Sequence, residues 1–434
     1  MKRIRLFTLF LCLLAVSNIF AQSDIQGKLS EIPEITKIEK LESAEFDEKY
    51  LTYFTQKIDP KNDSIGTFEQ RVVVFHAGFD RPTVLVTEGY GGSYALRPKY
   101  REEISRLFNT NIVFVEHRYF LESMPKYPDW QYLTAENSAE DLHAVFTVFK
   151  KIYPKKWIGT GISKGGQTAV IYRTFFPDDV DISVPYVAPL CYGVEDGRHE
   201  PFLRSVSTAE NRKKIEDFQM EVLKRRKNLM PAFEKYCAEK KYSFNLSLDE
   251  IYDYCVLEYS FAFWQWGSNI DTVPASDASD ENIFKHFIGI SNPSYFGESG
   301  NAAFFVQAAR ELGYYGYDIE PFKEYLSIKD SRGYLKKLFL PQTAGAVNFD
   351  ERLSKKIIGF LETNDPEIMF IYGETDPWSA VGVTWLEGKQ NVKVFIQPGG
   401  SHRTRISTLP EAMKSEAMET LEKWLEEQVH SGNE

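Results

Sequence analysis

The sequence predicts an α/β fold in which a largely parallel sheet is covered by helices on both faces. Two observations predict it. Short β-rich apolar runs alternate with amphipathic helical stretches over residues 68–187 and again after residue 350. A Gly-X-Ser-X-Gly turn stands where one of those strands passes into a helix.

The elements follow in order. Residues 68–76 and 83–87 read as strands, and the glycine and proline between them mark a turn, which predicts an opening hairpin after a polar leader. A helix follows over 100–108, a strand over 111–116, and a helix over 138–153 with Leu142, Val145, Phe146, Phe149 and Ile152 on one stripe. A strand over 157–162, a helix over 165–176 and a strand over 182–187 continue the alternation. It stops near residue 195. Residues 195–342 carry charged and aromatic stretches of helical period without strand alternation, which predicts an inserted helical cap between two segments of one α/β domain, 22–194 and 343–434. A helix over 350–361, strands over 367–372 and 391–397 and a last helix close the chain, with Thr408-Leu-Pro-Glu411 as its capping box. Lys224-Arg225-Arg226-Lys227 reads as a solvated helix face.

Composition bounds the function. With 434 residues, 43% hydrophobic and 15% aromatic, the chain is no disordered tail or small disulfide scaffold. Lys2, Arg3 and Arg5, an apolar run over 6–16 and Ile19-Phe20-Ala21 form the pattern of a secretory signal peptide over 1–21, cut after Ala21, which predicts a secreted or periplasmic protein. The run is shorter than the ~20 residues a membrane span needs, and nothing later could cross a bilayer. The formal charge is −11, and the leader removes only basic residues, so the mature surface repels nucleic acid. Cys191, Cys237 and Cys255 remain after the leader, permitting at most one bridge, for which Cys237 and Cys255 are the candidate pair. With no CxxC and no neighbouring histidine they form no zinc site. No metal or organic cofactor is implied.

Gly161-Ile162-Ser163-Lys164-Gly165 carries the chemistry. At a sharp strand-to-helix turn there is no room for side chains flanking Ser163, whose hydroxyl is raised above the sheet as a nucleophile. A serine needs a base, and the base a carboxylate to fix its tautomer. The chain order Ser, acid, His belongs to the α/β-hydrolase fold. After the insertion His402, in Pro-Gly-Gly-Ser-His, follows the last strand directly, whereas His430 lies in the charged tail. Asp376 follows the preceding strand, with Glu374 as the alternative acid. The Lys164 N–H and the loop Glu88-Gly89-Tyr90-Gly91-Gly92, through Gly89 or Tyr90, would supply oxyanion donors. The Lys164 side chain, one residue into the helix, points away from the serine and is no base.

Residues 159–169 (Gly-Thr-Gly-Ile-Ser-Lys-Gly-Gly-Gln-Thr-Ala), Phe-Pro-Asp-Asp-Val-Asp at 176–181, Tyr-Val-Ala-Pro at 186–189 and Glu116-His117-Arg118-Tyr119-Phe120 resemble the secreted bacterial prolyl tripeptidyl aminopeptidases. Gly-Glu-Thr-Asp-Pro-Trp at 373–378 is similar both to them and to the lysosomal prolyl carboxypeptidases and dipeptidyl peptidases. The likeness runs from about residue 65 to the last helix and is weakest across the insertion. It implies a serine peptidase with Ser163, Asp376 and His402 as its triad and a helical cap over the site. Leu121 stands where these relatives usually carry glycine. The carboxypeptidase branch's Gly-Gly-Ser-Tyr-Gly-Gly motif and its cysteine after the histidine are missing, so the aminopeptidase branch fits better.

In the cap, Phe261-Ala-Phe263-Trp264-Gln-Trp266 offers Trp264 and Trp266 as an apolar slot for a proline ring, with Trp378, Tyr372 and Tyr90 nearer the triad. Glu88 is the candidate for a substrate's free α-ammonium. His117-Arg118 reads as a loop lock made by ion pairing. The expected function is a serine exopeptidase releasing N-terminal tripeptides after proline from peptides with a free amine. The alternatives are a carboxylesterase or lipase on the same fold and a noncatalytic peptide-binding protein.

Overall fold

The structure, a computed structural model, describes residues 24–297 and 300–426. Among the described residues nine strands form one sheet: β1 (Ile35–Lys40), β2 (Glu48–Lys57), β3 (Thr67–His76), β4 (Thr83–Thr87), β5 (Asn111–Val115), β6 (Trp157–Ile162), β7 (Ile182–Tyr186), β8 (Ile368–Gly373) and β9 (Val392–Gln397), in the order β1-β2-β3-β5-β4-β6-β7-β8-β9. β1, β2 and β3 are antiparallel, and β5 onward is parallel throughout. This is the α/β-hydrolase fold that the alternation predicts.

The opening hairpin does not form. β5 lies between the two runs, pairing antiparallel with β3 and parallel with β4. All five residues of β4 are buried, which suits a central strand with both faces covered rather than one arm of a surface hairpin. The Asn111 side chain holds the connection open, accepting from the Ala77 and Gly78 N–H groups and donating to the Gly78 carbonyl. β1 and β2 lie within the predicted polar leader.

Strand alternation sorts the core. Val72, Val74, Leu85, Val113 and Phe370 face the helices Ala135–Ile152, Lys164–Phe175 and Arg352–Thr363, while Val73, Phe75, Val84, Ile112 and Ile371 face the other side, where Glu411–Glu426 packs. Between β7 and β8 the described residues hold only helices and loops, with a large aromatic core of their own. Within it Cys191, Cys237 and Cys255 are buried free thiols, so the candidate pair is not bridged.

Two further expectations are corrected. Thr408 does not cap the last helix: it ends a short 3₁₀ turn, its hydroxyl accepts from Arg405 N–H, and the Pro410 carbonyl accepts the helix's first bond, from Lys414. The basic run 224–227 is only partly a solvated face: Lys224 and Lys227 are exposed, but the helix breaks at Arg225. There Arg225 pairs with Glu221 and Asp280, and Arg226 reaches the fully buried Asp253.

The Arg118 ion pair does lock loops. The fully buried guanidinium spends all five N–H groups: two on the Asp141 carboxylate (2.6 and 2.7 Å) and three on the carbonyls of Ile58, Tyr132 and Lys57 (3.0, 2.8 and 3.2 Å). Removing one partner would strand a desolvated charge. Asp141→Ala is therefore expected to cost roughly 3–5 kcal/mol of stability in chemical denaturation. A loss within experimental error of zero would refute the lock.

Candidate active site

Ser163 begins the helix Lys164–Phe175 with φ 59 and ψ −121, a conformation that L-residues rarely adopt and that costs on the order of 1–3 kcal/mol. The crowding around it explains the neighbouring glycines. A Cβ on Gly161 would lie 2.3 Å from the Gly165 carbonyl oxygen, and one on Gly165 would lie 2.9 Å from the Thr87 carbonyl oxygen. Ser163 N–H donates to the Tyr186 carbonyl (2.9 Å), fixing the turn to β7.

The loops after β8 and β9 bring Asp376 to His402. The fully buried Asp376 carboxylate accepts from His402 Nδ1 through Oδ2 (2.6 Å) and from Trp378 N–H through Oδ1 (3.1 Å). Thr375 ties the two loops together, its N–H and hydroxyl both bonding the Gly400 carbonyl at 2.8 Å. Glu374, the alternative acid, is exposed and accepts from Gly399 N–H instead (2.7 Å). The helical region reaches the same place: His402 N–H donates to the Gln265 carbonyl (2.9 Å), and the Trp266 ring meets the imidazole edge-on at 5.7 Å.

Ser163 opens into a cavity of about 310 Å³ whose other walls include Tyr90, Glu258, Ala262, Trp266 and Trp378. The helix Leu248–Gln265 and its cap residue Trp266 supply one side of it. Glu258, Ala262, Gln265 and Trp266 fall at i, i+4, i+7 and i+8 on one face, toward Ser163. Leu257, Ser260, Phe261 and Trp264 fall on the next face and line a separate depression with Glu200 and Arg204. So the structure brings Trp266 and Trp378 to the serine but not Trp264. Phe261 supports the wall from behind, stacked on Tyr315 at 3.8 Å and edge-on to Trp378 at 5.5 Å. Tyr372 is also diverted, its buried hydroxyl donating to the Ala188 carbonyl and accepting from Val383 N–H.

The glycine-rich loop departs from expectation. Gly89 packs against Lys164 and Gly165 so closely that a Cβ would lie 2.6 Å from the Gly165 nitrogen. Yet the Gly89 and Tyr90 N–H groups both point at Glu88 Oε1 (3.0 Å each), so neither is presented as an oxyanion donor. Lys164 N–H is different: at the first position of a helix it has no intrahelical acceptor. Glu88 itself, bonded also to the Tyr94 hydroxyl, lines another cavity with Tyr100, Glu102 and Arg405. An acid consumed by its own loop on that side does not reach a substrate amine beside Ser163. Glu116 holds the loop from below, accepting from Gly92 N–H (2.7 Å) and Arg71 (2.9 Å).

The Lys164 side chain turns onto the rings of Tyr90 and Phe120, 5.8 and 5.7 Å away, and burial pulls its amine down to about 7 against the opposing charges of Glu88 and Glu311. Leu121 has φ 42, the region in which glycine is the unstrained residue, and its side chain lies on Gly91. Glu258 is the residue that reasoning from sequence missed. Its signal is a single acid inside the otherwise apolar run Tyr254-Cys-Val-Leu-Glu-Tyr-Ser-Phe-Ala-Phe-Trp264.

The family model described as PS-10 peptidase S37 matches residues 20–429. A prolyl tri/tetrapeptidyl aminopeptidase of Streptomyces mobaraensis is 31% identical over 425 residues, covering 94% of this chain and 87% of that protein. Among solved structures, a proline iminopeptidase of Mycobacterium smegmatis superposes with a TM-score of 0.41 at 14% identity, over 86% of this chain and 98% of that one. An esterase of Pyrococcus furiosus does so with a TM-score of 0.38 at 15% identity, over 86% and 92%. With a match across nearly its whole length and a relative at this identity, the chain belongs to the S37 family of serine peptidases.

Proposed function

We propose that the chain is an exopeptidase that removes short N-terminal peptides, chiefly tripeptides, by cleavage after proline. The observation that carries this reading is the cavity: Ser163 opens into a space of about 310 Å³ walled by aromatic side chains of the helical segment, a lining suited to a short apolar peptide end. The name of the Streptomyces mobaraensis relative supports the same class.

In this reading Asp376 holds the His402 Nδ1 proton, which leaves Nε2 as the base for the Ser163 hydroxyl. Ser163 attacks the carbonyl of the residue before the scissile bond, and His402 returns the proton to the leaving amine. Lys164 N–H donates to the oxyanion. Trp266 and Trp378 flank the proline ring. Residues 195–342 act as the cap that limits substrate length. The leader over 1–21 lies outside the described residues, and with it this reading places the mature protein in the periplasm or outside the cell. Among the described residues no helix is long and apolar enough to cross a membrane.

The test is a mass-spectrometric time course on peptides with proline walked from the second to the fourth position. Release of a tripeptide only when proline is third is the expected result. Turnover of simple esters with no peptide cut would replace this reading with an esterase, and failure of a fluorophosphonate to add mass at Ser163 with a noncatalytic binder.

A further inference from the structure

Glu258 lines the same cavity as Ser163 and is 6% exposed. A carboxylate in such a place is normally neutralised by a basic partner. Among the described residues there is none: the groups bonded to it there are the hydroxyls of Tyr315 (2.8 Å) and Tyr317 (2.7 Å), and both donate to Oε2. Among the described residues no hydrogen bond falls on Oε1, although a carboxylate can accept about four. The cavity it lines is walled by aromatic rings, Tyr295, Tyr314, Tyr315 and Trp378 among them. Tyr315 stacks on Tyr314 at 4.4 Å, and Tyr314 and Tyr315 both lie against Trp378, at 5.3 and 5.4 Å. A buried carboxylate with one open oxygen in an aromatic-walled cavity, with no cation partner among the described residues, is a receptor for a cation brought from outside.

We infer that Glu258 binds the α-ammonium of the substrate through Oε1, with Tyr315 and Tyr317 orienting the carboxylate. This rests on the exopeptidase reading, and it assigns to the helical segment a role that Glu88 does not fill. An ammonium has three donors. One would reach Oε1, and the aromatic faces would take the remaining charge. A peptide blocked at its amine would bring no cation and would leave the carboxylate buried and unpaired.

The charge state of this group agrees. Burial pushes the Glu258 carboxyl up to about 7, with the two tyrosine bonds opposing. The other titratable groups facing it, Tyr295, Tyr314, Tyr315, Tyr317, Tyr334 and Cys255, are all raised by burial and stay neutral through that range. Below about 7 Glu258 is therefore protonated and holds an ammonium poorly; above it the anion forms and the preference appears. A substrate α-amine loses its own proton near about 8. Preference for a free amine should peak between these limits.

The experiment measures kcat/KM for a tripeptide anilide with proline as its third residue and a free amine, and for its N-acetyl form, in wild type, Glu258→Gln and Glu258→Asp, from pH 5.5 to 9. The ratio of the two substrates cancels titration of His402, which both share. Stoichiometric fluorophosphonate labelling of Ser163 certifies that each variant is folded. In wild type the ratio is expected to exceed about 100 near neutrality and to fall on both sides. In Glu258→Gln it should drop to within about tenfold of unity and lose its acid limb, the change residing mainly in KM. Glu258→Asp, which keeps the charge but withdraws it, should lie between. A wild-type ratio retained in both variants would overturn the inference and leave the exopeptidase reading standing. Equal cleavage of both substrates by wild type would overturn that reading and the inference together.

Discussion

Ser163→Ala is expected to lower kcat by about six orders of magnitude, to the level at which only binding and oxyanion contacts act on the substrate. The hydroxyl is the one atom in the proposed mechanism that forms a bond to the substrate, so no neighbour substitutes for it. Lys164, the nearest alternative nucleophile in sequence, is turned onto Tyr90 and Phe120. Binding of peptide should persist, because the cavity walls are untouched. The strained backbone supplies a companion result. Alanine at φ 59 carries the same conformational cost as serine, whereas Ser163→Gly should be equally inactive but more stable by about 1 kcal/mol, as strain relief outweighs the entropy lost by glycine. Chemical denaturation of the two inactive variants checks this. Equal stability would mean that the turn stores no strain for function, and residual peptide cleavage above one part in a thousand would remove Ser163 from the role of nucleophile.

What the sequence reveals follows the local character of each signal. The stretch 157–165 is legible because strand, glycine turn and helix succeed one another within a few residues, and each is a local preference. β1 is not, because an antiparallel edge strand such as Ile35–Lys40, none of whose residues is fully buried, presents as many charges as a loop does. The hairpin failed for a related reason: adjacency in sequence says nothing of the β5 strand that comes later and slides between. Asp376 and His402 were readable from chain order, yet the choice between Trp264 and Trp266 needed the rotation of one helix, about 100° per residue, which aromatic content alone cannot fix. Glu88 and Glu258 show the same limit. Both are acids near apolar residues in the sequence. Only the fold shows that the first is satisfied by its own loop while the second faces the serine with an oxygen to spare.

Asp376→Asn should reduce kcat about 10⁴-fold while leaving the fold intact, and the reason lies in the direction of one proton. With a carboxylate at Oδ2, His402 must donate from Nδ1, and Nε2 keeps the lone pair that takes the Ser163 proton. An amide can present its NH₂ to the same nitrogen, which then accepts, and the proton moves to Nε2, where it blocks general-base catalysis. The imidazolium formed during the reaction also loses its counter-charge. Stability is not expected to follow activity, because the amide oxygen can still accept from Trp378 N–H as Oδ1 does now. Glu374→Gln is the matched control: that side chain is exposed and serves Gly399, so activity should stay within about threefold of wild type. Steady-state kinetics on one peptide substrate, with thermal denaturation of each variant, separates the cases. If Asp376→Asn keeps more than a tenth of the activity, or if Glu374→Gln loses as much as Asp376→Asn, then the 2.6 Å contact between Asp376 and His402 is structural and the acid of the triad lies elsewhere.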